Sequence, residues 1–271
     1  MPHAPDLRVD ATLALETDGS FPALLCALPL LYGVGKLPAA VEVVGEARTG
    51  GLFARTLEVA TCARTASRVE ARLERIAPGL VPRLFRAFLS EGETAPTDIL
   101  RLVVRVAARG ADVAEDWRFD PARRVAQAAQ RVSRERHRME AFVRFQRHAD
   151  PSGTEHFVAH VCPEVHVLPI LGAHFADRYP TMRWAVVDVQ RRLALVHPTP
   201  ALERAPEANA TQIVPAGNVA HLDATPDEAA FQDLWRTYFR AVDIAERKNL
   251  RLHQRHVPRR YWPYLTEKQV A

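Results

Sequence analysis

The residues best suited to binding chemistry lie near the C-terminus, in the segment ERKNLRLHQRHVPRRYWPYL at positions 246–265. From Glu246 to Trp262 it carries six cations against one acid, a net charge of +5, whereas the whole chain carries +4. Basic side chains interleaved with aromatic ones can neutralise phosphates and stack on exposed bases. We therefore predict a nucleic-acid contact made by Arg247, Lys248, Arg251, Arg255, Arg259, Arg260, Tyr261 and Trp262.

A second basic region precedes the middle of the chain. Between Arg118 and His148 nine arginines stand against three acids. We interpret Pro121 to His148 as one long helix, on which a turn of 100° per residue gathers several arginines on one face. A solvated face without a ligand is the alternative. The residues on this face are Arg124, Arg131, Arg134 and Arg138.

One arginine of this helix breaks the pattern. Arg136 falls within the apolar stripe, close to the line through Val132 and Val143. Because an isolated buried charge costs several kcal/mol, a guanidinium there must be paired. We predict a buried carboxylate partner for Arg136.

Candidates for catalysis are few. His174 and Asp177, in HFADRY, would share a face of one short helix, which suits orienting an imidazole for acid–base work, and Glu164 is a third candidate. A local hydrogen bond that fixes a loop explains the same pair. No recognisable catalytic motif accompanies them, so the sequence favours a protein that is not an enzyme.

Metal and cofactor sites are not indicated. His156 and His160 are spaced HxxxH on a predicted strand, where about 3.3 Å per residue separates them by about 13 Å, too far to share one ion. The three cysteines form no CxxC spacing. We expect no metal, no cofactor and reduced thiols.

The elements that position these residues follow from periodicity and capping residues. Helices are predicted over 51–76, 79–90, 97–109 and 167–179, and strands over 11–17, 155–162, 184–188, 193–197 and 213–222. Ser20 is a predicted N-cap with Pro22 in the first turn. Thr225, Pro226 and Glu228 form a predicted capping box that starts a helix ending near Asn249. Its apolar residues, from Phe231 to Ala245, are expected in the core.

The fold class expected from these elements is α+β, predominantly helical, with a small antiparallel sheet in the middle third and a long C-terminal helix. We expect a single domain over 1–271, with a helical portion at about 11–150, a sheet-containing portion at about 154–224, and the C-terminal helix and basic segment at about 225–265. The longest uncharged run has 17 residues, short of the roughly 20 that a membrane helix needs. A cytoplasmic location without membrane contact is expected.

Four separate blocks of the sequence support a family resemblance. They are DGSFPALLCAL from Asp18, RVSRERHRMEAFVRF from Arg131, VLPILGAHFADRYP from Val167, and FQDLWRTYFRAVDIAERKNLRLHQRHVPRRYWPYL from Phe231. In this order they resemble a bacterial family with a domain of unknown function, described as probable DNA metabolism proteins. The resemblance implies a radical-SAM iron–sulfur partner in DNA repair or modification, and in some members a fused domain similar to uracil-DNA glycosylase.

Three functions remain open at this point. The leading hypothesis is a DNA-binding accessory protein that acts with a radical-SAM partner in DNA metabolism and DNA repair. The second is an enzyme acting directly on damaged DNA, of the hydrolase or lyase type. The third is a protein-interaction module whose basic C-terminal segment docks on the partner.

Overall fold

The computed structural model describes residues 8–43, 55–197, 211–242 and 250–269. Contacts within the chain divide it into two units, Met1–Ser133 and Arg134–Ala271. One long helix, α5 (Asp120–Phe142), supplies residues to both units. None of the described helices is long and apolar enough to cross a bilayer.

A parallel sheet forms in the first unit from strands that the described residues place in the order β2-β1-β3. The central strand β1 (Arg8–Thr17) pairs in parallel with β2 (Lys36–Val43) and with β3 (Arg55–Glu58). Leu13, Ala14 and Leu15 of β1 are all buried, as expected for the central strand of a parallel sheet that is covered on both faces. The predicted strand at 11–17 is therefore confirmed.

Helix α1 (Phe21–Val34) connects β1 to β2 and shows both expected end signals. The Ser20 hydroxyl accepts a hydrogen bond from the Ala23 amide at 3.2 Å, which confirms the predicted N-cap. Gly35 ends the helix in the left-handed conformation at φ 74°, which glycine adopts without a steric cost. Almost every side chain between Phe21 and Leu28 is buried.

Three further helices complete the first unit: α2 (Ala63–Ile76), α3 (Leu80–Phe88) and α4 (Ala95–Arg109). The predicted end of α4 at Gly110 is confirmed. The helix predicted over 51–76 was too long, because its described N-terminal part forms β3. Pairing with β1 outweighs the local helical pattern there.

Helix α5 is shorter than the predicted 121–148 helix. It ends at Phe142, and β4 (Gln146–Ala149) follows between β5 (Glu155–Val161) and β9 (Asp223–Ala224). Hydrogen bonding on both edges holds residues 146–149 extended. Such pairing partners are distant in sequence and therefore invisible to a helical-period argument.

The second unit contains a six-stranded mixed sheet in the order β8-β7-β6-β5-β4-β9. β5 and β6 (Trp184–Asp188) are parallel and joined by helix α6 (Leu168–Arg178). β6 and β7 (Leu193–His197) form the predicted hairpin, and β8 (Gln212–Pro215) extends it. The predicted strand at 213–222 is shorter than expected, since a 3₁₀ turn occupies Ala216–Val219.

The expected fold class was wrong. The structure is α/β, with a parallel sheet in the first unit and a larger mixed sheet in the second, and not α+β with one small antiparallel sheet. Strand β2 comes from a short, largely apolar run and β3 from only four residues, and periodicity does not separate strand from helix in segments this short. The parallel pair β5 and β6 depends on the direction of a crossover, which strand periodicity does not record.

The C-terminal part contains α7 (Glu228–Val242), α8 (Leu250–His256), and 3₁₀ turns at Arg259–Tyr264 and Thr266–Lys268. The predicted helix end near Asn249 lies outside the described residues. In place of the predicted capping box, the Glu228 carboxylate accepts a hydrogen bond from the Arg147 amide at 2.8 Å. The first of these 3₁₀ turns, Arg259–Tyr264, begins directly after Pro258.

The prediction that the apolar face of α7 belongs to the core was also wrong. Leu234 is 66% exposed and Tyr238 is 57% exposed. Hydrogen bonds attach α7 instead: Arg236 donates to the Thr266 carbonyl at 3.3 Å, and the indole Nε1 of Trp235 donates to Glu267 at 2.9 Å. Helical periodicity identified an amphipathic helix, but it did not identify which face packs.

Candidate functional site

A buried carboxylate organises the polar part of the second unit. Glu135 belongs to the buried face of α5, between Val132 and Met139, and it is 1% exposed. Arg136, which was predicted to occupy this place, is exposed and pairs with Glu140 at 2.6 Å. The prediction of a buried Arg136 was therefore wrong, because the neighbouring Glu135 occupies the buried position. Arg136 does have a carboxylate partner, Glu140.

Glu135 is held by groups from three parts of the unit. Arg260 Nη2 lies 3.1 Å from Oε1 and 3.0 Å from Oε2, and Arg138 Nη1 lies 3.2 Å from Oε2. The Glu164 amide donates to Oε1 at 2.7 Å. Such charge-assisted hydrogen bonds offset the cost of burying the charge. The cluster joins α5, the loop after β5 and the 3₁₀ turn after Pro258.

The electrostatics of this cluster keep Glu135 ionised. Burial by itself raises the pKa of Glu135, but hydrogen bonds from the Tyr261 hydroxyl and the Glu164 amide, and the charge of Arg260, lower it below its ordinary value. Burial and the hydrogen bond to Glu135 raise the pKa of Tyr261 well above its ordinary value. Three of the predicted nucleic-acid contacts, Arg138, Arg260 and Tyr261, therefore take part in an internal network.

The other arginines of the C-terminal segment point outward. Arg251, Arg255 and Arg259 are exposed, as is Arg134 on α5. Arg138 Nη2 donates to the Arg255 carbonyl at 3.4 Å, which brings the C-terminal end of α5 against α8. Two basic segments that are distant in sequence thus form one surface. We call it the α8 arginine surface, and it consists of Arg134, Arg251, Arg255 and Arg259.

Trp262, which contacts Arg259 of this surface, is fixed by a hydrogen bond to the backbone. Trp262 is half-buried, and its Nε1 donates to the Val257 carbonyl at 3.1 Å. The guanidinium of Arg259 lies 5.7 Å from the centre of the indole ring, a cation–π distance. Among the predicted contacts, Arg247 and Lys248 lie outside the described residues.

The two remaining predicted arginines belong to the first unit and have partners there. Arg124 forms a bidentate ion pair with Asp98, with distances of 2.7 and 2.6 Å. The hydrogen bond with Asp98 raises the pKa of Arg124. Arg131 Nη2 donates to the Ser90 carbonyl at 3.1 Å. Both side chains make contacts that stabilise the fold of this unit.

The three catalytic candidates are not brought into one catalytic arrangement. His174 and Asp177 both lie on α6, but within the described part of the second unit no hydrogen bond links them. The His174 ring instead packs on Phe175, with centroids 5.1 Å apart. Glu164 lies in the loop after β5 and pairs with Arg260 at 3.3 Å. Among the described residues, no group of three metal-binding side chains converges.

A hollow beside α7 is the feature that sequence reasoning missed. Its volume is about 480 Å³, within the usual range for ligand sites. The sequence signal was the spacing of Phe231 and Trp235, which we had interpreted as core. We call this feature the α7 hollow, and it is lined by Arg144, Phe145, Arg147, Glu155, Phe157, Glu228, Phe231, Gln232, Trp235 and Thr266.

The fold and these surfaces define an α/β protein with an arginine-rich C-terminal surface and an aromatic hollow. Residues 93–267 match the family described as a domain of unknown function, DUF4130. The chain belongs to this family. No curated protein and no solved structure matches it.

Proposed function

We propose that this chain binds DNA through the α8 arginine surface, as an accessory protein of DNA repair or modification. The observation that carries the proposal is the exposure of four arginines on one surface, while the neighbouring acids Glu135 and Glu164 pair with Arg260. Within the described residues, Arg134, Arg251 and Arg255 have no ion-pair partner. Phosphate is the ligand that such a set of cations attracts.

The buried network beneath this surface supports the proposal. Arg260 and Arg138 hold Glu135, and Arg138 also contacts the backbone of α8. The exposed arginines therefore extend from a backbone that is fixed before a ligand arrives. Fixed donors lose less conformational entropy on binding than those of a free basic tail.

The accessory role rests on the resemblance of the four sequence blocks. We propose a radical-SAM iron–sulfur protein as the partner, and a uracil-DNA glycosylase-like protein as a second partner. Radical chemistry in such a complex would belong to the partner, while this chain would hold the nucleic acid. Co-expression with a radical-SAM protein from the same genome tests the partnership. The expected result is co-purification of the two proteins, and their separation at moderate salt would contradict it.

Salt dependence tests DNA binding directly. Four phosphate contacts predict a log–log slope of about −3 to −4, and hence a loss of affinity of roughly a hundredfold between 50 and 200 mM salt. The measurement is fluorescence anisotropy with labelled single- and double-stranded oligonucleotides. Salt-insensitive or undetectable binding to both forms of DNA would contradict the proposal.

A double variant tests the surface itself. Arg251→Ala with Arg255→Ala is expected to weaken binding about tenfold at low salt and to reduce the slope by about 2, since each arginine lost removes one phosphate contact. The matched control is Arg64→Ala with Arg68→Ala, an exposed pair at the same spacing on α2. Equal losses in both double variants would show a general charge effect and refute the assignment of this surface.

A further inference from the structure

We propose that the α7 hollow is a binding site for a single unstacked nucleobase of the DNA held by the α8 arginine surface. This inference rests on the proposed function and names a second site for the same ligand. Three observations support it: aromatic walls on two sides, polar groups fixed at the rim, and a short path along the chain to the arginines.

The aromatic rings come from α7, from β5 and from the residue before β4. Phe231 and Trp235 stand one turn apart on α7, and both are exposed, at 54% and 37%. Phe145 and Phe157 line the hollow from the strand side. Phe145 is held in place by Phe175, with an edge-on contact at 5.6 Å between centroids. Rings on opposite sides of a hollow suit a flat aromatic ligand, because a base presents a π-face to each of them.

The polar groups of the hollow are already fixed by neighbours. Trp235 Nε1 and Arg144 Nη2 each donate to Glu267 at 2.9 Å. Arg144 also lies 5.4 Å from the centre of the Trp235 ring. Burial raises the pKa of Glu267, but the hydrogen bonds from Trp235 and Arg144 lower it below its ordinary value. The carboxylate is therefore charged and holds both side chains in position.

A second carboxylate lies in the wall of the hollow. Glu228 is 8% exposed, and its oxygens accept hydrogen bonds from the Arg147 amide at 2.8 Å and from Gln232 at 2.9 Å. Each carboxylate oxygen can accept more than one hydrogen bond. A base with amino or imino N–H groups supplies such donors. The buried Nε of Arg144 has no hydrogen-bond partner, so a base oxygen or ring nitrogen would also find a donor.

The hollow lies close to the α8 arginine surface along the chain. Thr266, which lines the hollow, follows Arg259 by seven residues that are mostly in 3₁₀ turns. At about 2 Å per residue within the 3₁₀ turns and about 3.3 Å per residue at the extended Leu265, this path is about 17 Å long. Phosphates of one strand are spaced about 3.4 Å apart along a duplex. A strand bound at Arg259 therefore reaches the hollow within about five nucleotides.

A protein side chain is the competing occupant, and the structure favours a base. Four aromatic rings line the hollow, which suits a flat base better than an aliphatic or charged side chain. At the rim, Arg144 is paired with Glu267, and Arg147 is paired with Glu155 and Asp227. The cations that attract a polyanion are therefore those of the α8 arginine surface.

The test uses a single-stranded oligonucleotide that carries one 2-aminopurine, whose fluorescence is quenched when the base stacks on an aromatic ring. The wild-type chain is expected to quench the probe on binding. Phe231→Ala is expected to remove most of the quenching and to weaken binding about tenfold, a typical loss for one base–aromatic stack. Since Phe231 is largely exposed, this change leaves the fold intact, which a thermal melt checks.

The matched control is Tyr238→Ala. Tyr238 is an aromatic residue of the same helix with almost the same exposure, 57% against 54%, but it does not line the hollow. This variant is expected to bind and quench as the wild type does. Equal quenching by the two variants, or normal DNA binding without any quenching, would overturn the base site while leaving the proposed function in place.

Failure of the proposed function is distinguishable from failure of the base site. If the chain binds no DNA, quenching of Trp235 fluorescence by free deoxynucleotides is measured, again against Phe231→Ala. Nucleotide binding that Phe231→Ala removes would support the base site alone, and its absence would overturn both. If Phe231→Ala abolishes co-purification of a protein partner and does not change quenching, the hollow is a protein-docking site and the inference is wrong.

Discussion

Replacing Arg124 with alanine is expected to lower the free energy of unfolding of the first unit by about 3–5 kcal/mol. The reason is the partner that remains: Asp98 is 2% exposed, and Arg124 holds both of its oxygens at 2.7 and 2.6 Å. Without the guanidinium, a carboxylate is left buried and uncompensated. Chemical denaturation followed by circular dichroism measures the difference.

The neighbouring arginine provides the control. Arg123 pairs with Asp120 at 2.5 Å, but both side chains are exposed, at 46% and 61%. Arg123→Ala is therefore expected to cost less than about 1 kcal/mol. Adding Asp98→Asn to Arg124→Ala is expected to recover part of the loss, because it removes the buried charge. Equal effects of the two single variants would contradict a buried ion pair at Asp98.

The second large effect is expected at Glu135. Glu135→Ala removes the acceptor for Arg260, Arg138 and the Glu164 amide, and should lower the stability of the second unit by about 2–4 kcal/mol. The guanidinium groups that remain are partly exposed, which limits the cost. The same variant is expected to weaken DNA binding, since α8 loses its attachment to α5.

Glu140→Ala is the matched control on the same helix. Glu140 pairs with Arg136 at a spacing of four residues, and Arg136 is 45% exposed. A pair of this kind contributes about 0.3–0.5 kcal/mol.

The hydrogen-bonded cluster around Glu135 also predicts a dependence of stability on pH. Because the folded-state pKa of Glu135 is lowered, its stabilisation is complete above the ordinary value near 4.5 and is lost as pH falls below it. A wild-type acid transition no steeper than that of Glu135→Ala would count against the network.

Local rules predicted the elements whose ends are determined by neighbouring residues. The Ser20 cap, the end of α4 at Gly110 and the β6–β7 hairpin each depend on a few adjacent side chains, and all three are confirmed. β2 and β3 were missed because they become strands only by pairing with β1. No short-range pattern contains that pairing.

The candidate site also depends on contacts between residues that are distant in sequence. The apolar stripe of α5 was predicted, but two adjacent charged residues both lie near it, and periodicity did not choose between Glu135 and Arg136. Arg260 and the Glu164 amide make that choice, and they lie 125 and 29 residues away in sequence. For α7, the apolar stripe was recognised, but its exposure depends on contacts that Arg236 and Trp235 make with the turn at Thr266–Lys268.

The long-range contacts of the second unit also order the folding of the chain during synthesis. Arg260 reaches Glu135 across 125 residues, and Glu267 reaches Arg144 across 123. The second unit therefore closes only after the last described turn has left the ribosome, whereas the first unit has all its own residues by Ser133. Because domains fold as units during synthesis, we expect the first unit to fold first. The arginine surface can assemble only after Arg259 has been synthesised.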